Sequence, residues 1–143
     1  MTVRCRQQGQ VLAWYGIMLA LVLVPVVGFA IDTGLMFTAH RKLQMVADGA
    51  ARVGATQVDT NAVYNTGRVT LAPAEAEQAA ESYLASTPGV TGTAAATPDR
   101  IQVQARRTLV LPFQSAFHRP PMEIEAAAAA VPCPGIDQAE GAC

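Results

Sequence analysis

Residues 11–31 read VLAWYGIMLALVLVPVVGFAI, and none of these 21 side chains carries a charge. A helix rises about 1.5 Å per residue, so this stretch would span about 30 Å, the thickness of the hydrocarbon core of a bilayer. Arg4 and Arg6 precede the stretch and Asp32 follows it, a bias that favours a cytoplasmic N-terminus. The sequence therefore predicts a single-pass protein of the cell membrane, with residues 1–10 in the cytoplasm and the bulk of the chain outside it.

A cleaved secretory signal is the alternative explanation for the same apolar stretch. Gly28, Phe29 and Ala30 fit the small-x-small pattern of signal peptidase sites, and cleavage after Ala30 would release a secreted extracytoplasmic binding module. However, the apolar run exceeds the usual signal-peptide core of about 7–15 residues, and helix-forming sequence continues beyond the cleavage point. We therefore expect a retained anchor.

Composition and motifs exclude several classes of function. The 143 residues carry a net charge of −1, so no basic field favours nucleic acid. The two histidines, His40 and His118, lie far apart without metal-ligand spacing, and no phosphate loop or nucleophile motif accompanies them. We expect a protein that is not an enzyme and has no cofactor, no metal, no nucleic-acid partner and no small-molecule substrate.

Residues 32–58 contain no proline and continue the helical pattern beyond the apolar stretch. Apolar and small residues recur there at the 3-4 spacing of a narrow helical face, which we call the seam. The seam consists of Asp32, Met36, Ala39, Leu43, Val46, Ala50 and Val53. The pattern predicts one helix of about 70 Å over 11–58, in which 11–31 spans the membrane and 32–58 forms a coiled-coil stalk.

Two partners could cover such a seam. A long helix with a narrow apolar stripe is poorly stabilised alone, and its small residues would let another helix approach closely. The seam therefore packs on a second subunit, on this chain's own C-terminal part, or on each along different stretches. Asp32 leaves a similar choice, because a carboxylate at the membrane boundary either reaches interfacial water or pairs with a basic group of a neighbour.

Residues 59–131 predict a small head that contains a helix and strands. Pro73, with acidic residues in the turn that follows, predicts the start of a helix over 73–87. Apolar and polar residues alternate from Ile101 to Phe113, with Pro112 expected to end the ladder, and they alternate again from Met122 to Ala128. These two segments predict an antiparallel pair of strands whose apolar face the helix covers.

The connecting segments of the head carry weaker signals. Residues 59–71 contain Asn-Thr-Gly between two apolar pieces and predict a turn or a short hairpin. Residues 89–98 predict a flexible connection, and residues 132–143 a flexible tail. In the tail, Cys133 and Cys143 either close a disulfide loop of about ten residues or remain free thiols. The fold class is thus expected to be α+β, with a long N-terminal transmembrane helix, a stalk, and a small head.

Several short motifs occur in a fixed order between residues 8 and 55. They are Gly9-Gln10 before the apolar run, Ala30-Ile31-Asp32 with Gly34 at its end, Arg41 with Leu43-Gln44, and Ala47-Asp48 followed by Ala50-Ala51 and Gly54-Ala55. In this order they resemble the N-terminal module of TadE/TadG-like proteins of the tight-adherence, Flp-type pilus assembly machinery. The resemblance covers about a third of the chain.

This resemblance implies a role in building a thin pilus or a related secretion system. The chain would be a membrane-anchored minor pilin-like subunit, a pseudopilin, or an accessory subunit, with a pilin-like head outside the cytoplasm. Its partners would be the membrane and other pilus-assembly subunits, contacted through helix packing. Cell adhesion and protein secretion are the processes that such an assembly serves.

The resemblance also implies a processing site. Pilin-type members of the family are cut by a prepilin peptidase after a glycine, and they carry a glutamate at the fifth position of the mature chain. Gly9 is the matching glycine, but the fifth residue after it is Trp14. This difference favours the uncleaved, TadG-like branch of the family.

Overall fold

A single helix, α1, runs over Cys5–Ala55 in the computed structural model, which describes residues 5–116, 118 and 120–132. Its 51 residues correspond to about 76 Å along the helix axis. Pro25 lies inside the helix without ending it. The prediction of one long N-terminal helix is confirmed, and its observed end lies three residues before the predicted residue 58.

A short helix, α2, covers Thr60–Thr66, where the sequence predicted a turn or a hairpin, so that prediction was wrong. The side chain of Asp59 accepts hydrogen bonds from the backbone N–H groups of Asn61, at 2.9 Å, and Ala62, at 3.1 Å. These bonds satisfy donors that a helix start leaves unpaired. Gly67 ends the helix with a φ of 68°, a left-handed conformation that glycine adopts at low cost. The turn-forming residues therefore cap a helix at both ends.

The third helix, α3, covers Pro73–Ala85, close to the predicted 73–87. Proline is tolerated at its first turn because the N–H there has no partner within the helix. Ala76, Ala80 and Leu84 form its buried face.

Three antiparallel strands in the order β1-β2-β3 form the sheet. They are β1 (Thr91–Thr97), β2 (Arg100–Leu109) and β3 (Met122–Ala130), and a five-residue helix, α4 (Pro112–Ala116), connects β2 to β3. The expectation of a flexible connection over 89–98 was wrong, because β1 pairs with β2 over its whole length. The two strands predicted from the alternating pattern are confirmed as β2 and β3.

The core of the head lies between the helices and one face of the sheet. Side-chain burial alternates along β2, with Ile101, Val103 and Ala105 buried and their neighbours exposed. Both α1 and α3 pack on this buried face. Much of the core is alanine, contributed by both helices and by the sheet. Residues of the predicted stalk are therefore part of the head's own core.

Candidate membrane and subunit interface

The first half of α1 is an apolar surface that the other described parts of the chain leave open except at Gly28. Every large apolar side chain from Val11 to Phe37 is exposed, by between 39% and 77%. The most apolar 18 residues have a mean hydropathy of 2.3, and none of them is buried. A surface of this size is typical of a membrane or protein contact. By length and composition, α1 can cross a membrane.

The head contacts α1 within this apolar surface, at Gly28. The ring of Phe113, in α4, lies so close to Gly28 that a Cβ atom there would overlap it. One turn further along, the Phe113 N–H donates a hydrogen bond of 3.1 Å to Asp32 Oδ1. These two contacts fix α4 against the helix, and we call them the latch.

Asp32 is 3% exposed, although it carries a carboxyl group and lies in a stretch of α1 whose large apolar side chains are exposed. Its carboxylate accepts a hydrogen bond from a backbone N–H near the start of α4, and helix N-termini favour negative charge. The sequence did not suggest this contact; interfacial water and a basic group of a neighbour, the two partners that it suggested, stay predictions. A contact across 81 residues leaves no trace in local periodicity, which is why sequence reasoning missed it.

The C-terminal part of the seam, from Ala39 onward, packs within the head. Leu43 and Ala50 are buried in the core, while Ala39 and Val46 pack against it and are partly exposed. Val53 is half-buried, and Met36 remains exposed. The structure therefore brings the seam from residue 39 onward against this chain's own head. Docking of a second subunit on the seam stays a prediction.

Glycines allow α1 to pack tightly against the head. A Cβ on Gly54 would overlap the end of Ile101 and lie 3.0 Å from the carbonyl oxygen of Ala76. A Cβ on Gly49 would lie 2.7 Å from the Tyr83 hydroxyl oxygen. The small residues that could have admitted a partner helix thus admit α3 and the sheet.

Side chains from the helices contact both outer strands of the sheet. Glu77 Oε1 accepts a hydrogen bond of 2.8 Å from the backbone N–H of Ala96 in β1. On the other side, Gln44 Nε2 donates a bond of 3.0 Å to the carbonyl oxygen of Ala127 in β3. Unpaired backbone groups at a sheet edge invite pairing with another chain. These two bonds therefore reduce the capacity of both edges to recruit a strand.

A cation lies next to the outer end of the exposed apolar surface. The Arg41 guanidinium carbon is 4.4 Å from the centroid of the Phe37 ring, within the range of a cation–π contact. At the opposite end, Trp14 and Tyr15 are exposed. Aromatic side chains flanked by charge are typical of the two interfaces of a membrane-spanning helix.

The remaining predicted sites lie elsewhere. Gly9 lies within α1, whereas Cys133 and Cys143 lie outside the described residues. Among the residues that the structure describes, no three His, Cys, Asp or Glu side chains come together as a metal site would require.

Comparison with known proteins relates the N-terminal part of the chain to a described family. Residues 9–57 match the family model described as putative Flp pilus-assembly TadE/G-like. No curated protein and no solved structure matches significantly. The matched segment contains almost all of α1, including the exposed apolar surface, Asp32 and the seam. The resemblance inferred from the ordered motifs is therefore confirmed over residues 9–57, and this segment is similar to the Flp pilus-assembly TadE/G-like family.

Proposed function

We propose that this protein is a membrane-anchored, minor pilin-like or accessory subunit that acts in the assembly of a Flp-type pilus. The observation that carries the proposal is the uncovered apolar surface of α1 within a segment that matches a pilus-assembly family. The family is named for assembly rather than for a reaction, so we propose a mechanical, associative role.

In this proposal the two halves of α1 have different roles. The outer, C-terminal half packs in the core of the head, so the head cannot rotate freely about the helix. The inner, N-terminal half remains available for contacts with other subunits. The spacing of the seam continues toward the N-terminus through this half at Phe29, Val22 and Met18, which are all exposed. Helices in a membrane associate through packing, small residues and hydrogen bonds. We place the contact with other assembly subunits on this inner stretch.

Orientation follows from the charges that flank the apolar surface. Arg4 and Arg6 precede it, and positively charged segments are retained in the cytoplasm. The head would then lie outside the cytoplasm, where a pilus is assembled.

Photo-cross-linking in cells tests the proposed association. A photoreactive phenylalanine analogue at Val22, which is 60% exposed on the inner seam, should cross-link to another pilus-assembly subunit. The matched control carries the same analogue at Tyr64, which is 89% exposed on α2, outside the proposed contact, and should give no such product. Equal cross-linking at both positions, or none at Val22 in piliated cells, would contradict the proposal.

N-terminal sequencing of the mature protein separates the anchored form from its alternatives. A start at Met1 or Thr2 supports an uncleaved anchor, and a start at Gln10 indicates prepilin peptidase cleavage after Gly9. A start at Ile31 indicates a secreted module. That last result would remove Gly28 and half of the latch, and would refute the anchored role.

A further inference from the structure

The connection between β2 and β3 has an unusual composition for a surface segment. Residues 109–116, which we call the corner, read LVLPFQSA and contain no charged side chain. Val110 is 65% exposed and Pro112 is also exposed, although both are apolar. The next charged groups are basic, at Arg107 before the corner and Arg119 after it, and the first carboxylate that follows is Glu123.

The corner lies at the level of the exposed apolar surface of α1. Its Phe113 ring packs on Gly28, three residues before the end of the uncharged stretch at Ile31 and thus about 4.5 Å inside it along the helix axis. Exposed apolar side chains continue outward to Phe37, about 14 Å beyond Gly28. A bilayer that covers the apolar surface of α1 therefore also meets the corner.

The burial of Asp32 supports the same placement. Ile31 and Leu35, which lie before and after Asp32 along the helix, are exposed. A carboxylate at that level would face lipid at a cost of several kcal/mol. The backbone of α4 covers it and donates to it, so the charge is removed from the apolar surface. The corner thus brings apolar side chains to the membrane and keeps a charge away from it.

We infer that the corner inserts into the bilayer, at the boundary of headgroups and acyl chains in the leaflet nearest the head. The head would then be held on the membrane at two points, by α1 and by the corner, with Val110 as the side chain that enters lipid. Peripheral apolar segments insert to about 5–10 Å in this region. The inference rests on the proposed membrane anchoring, because lipid reaches the corner only if it surrounds α1.

Depth-dependent fluorescence quenching tests the inference on the full-length chain in phosphatidylcholine vesicles. In a Trp14→Phe background, single tryptophans are introduced as Val110→Trp, Val22→Trp and Tyr64→Trp. In separate preparations, part of the lipid carries bromine either on the upper part of its acyl chains or near their ends, and bromine quenches only tryptophans close to it. Val110→Trp should lose at least half of its emission with the upper bromine, Val22→Trp should be quenched by bromine near the chain ends, and Tyr64→Trp should be unaffected by either.

Each outcome separates the two claims. Quenching at Val22 without quenching at Val110 overturns the insertion of the corner and leaves the anchor intact. A blue-shifted but unquenched Val110→Trp emission has the same consequence, because it indicates that a protein partner, instead of lipid, covers the corner. Absence of quenching at Val22 refutes the anchor, and the insertion with it. If Val110→Trp fails to fold, Ser115→Trp on the exposed side of α4 replaces it, and the same results support or overturn the inference.

Discussion

Truncation of Leu43 separates the internal role of the seam from an intermolecular one. Leu43 is 1% exposed and belongs to the core cluster that also contains Ala47, Ile101 and Ile124. Leu→Ala substitutions in protein cores cost about 2–5 kcal/mol, and more when the surroundings cannot collapse into the cavity. Many neighbours in this core are alanines, which cannot extend into a gap. We therefore expect Leu43→Ala to lower the free energy of unfolding of the head by about 3 kcal/mol or more.

Such a loss is large for a domain of this size. Small domains are stable by about 5–15 kcal/mol, and each kcal/mol changes Tm by about 4–8 °C in a domain of 60–100 residues. A loss of about 3 kcal/mol therefore corresponds to a decrease in Tm of roughly 12–24 °C.

Pulse proteolysis in increasing urea measures this change on the full-length protein in detergent micelles. Circular dichroism is less suitable, because the apolar half of α1 can remain helical in a micelle after the head has unfolded. The matched control is Met45→Ala, since Met45 lies two residues away on the same helix and is 65% exposed. Its effect should stay within about 0.5 kcal/mol. Equal stability of the two variants and the unsubstituted protein would refute internal packing of Leu43.

Three further substitutions test other parts of the account. Gly54→Ala should lower stability in the same assay by up to about 2 kcal/mol, because overpacking of about 1–3 kcal/mol exceeds the gain in helix propensity. The control Gly34→Ala should not lower stability, because an added Cβ there would meet no neighbouring atom within 4 Å. Glu77→Ala should cost about 1 kcal/mol by leaving the Ala96 N–H without its acceptor, and Glu77→Gln should cost less. Val22→Arg should prevent membrane retention after carbonate extraction, because a central charge costs about 2.5–3.5 kcal/mol on insertion scales; normal retention would contradict a spanning helix.

Strong local patterns made the main elements predictable. The uncharged run gave α1, Pro73 and its acidic first turn marked α3, and strict alternation located β2 and β3. In each case the signal lies in the local sequence, and for β2 and β3 it reflects burial of one face.

The missed elements depend on contacts that such patterns do not contain. In β1, TGTAAAT has no large apolar residue to alternate, and the strand exists because β2 pairs with it and α3 packs on it. At the two ends of α2, Asp59 and Gly67 resemble turn residues because capping and turn formation use the same chemistry.

Part of the candidate site was unpredictable for the same reason. The seam was identified from its spacing, but the residue types that pack on a chain's own head are also those that admit a second helix. The residue types of Leu43 and Ala50 therefore did not indicate that they pack within this chain's own head. The latch joins Phe113 to Gly28 and Asp32, more than 80 residues apart, and only the fold brings them together.

Protease accessibility in intact spheroplasts tests most directly that α1 crosses the membrane and presents the head outside. The full-length protein carries one epitope tag before residue 1 and another after residue 143, and protease is added externally. If α1 spans the membrane and the head lies outside, the C-terminal tag is lost, while the N-terminal tag survives on a fragment that remains in the membrane after carbonate extraction. Survival of both tags on intact protein, or recovery of that protein in the soluble fraction, would contradict it.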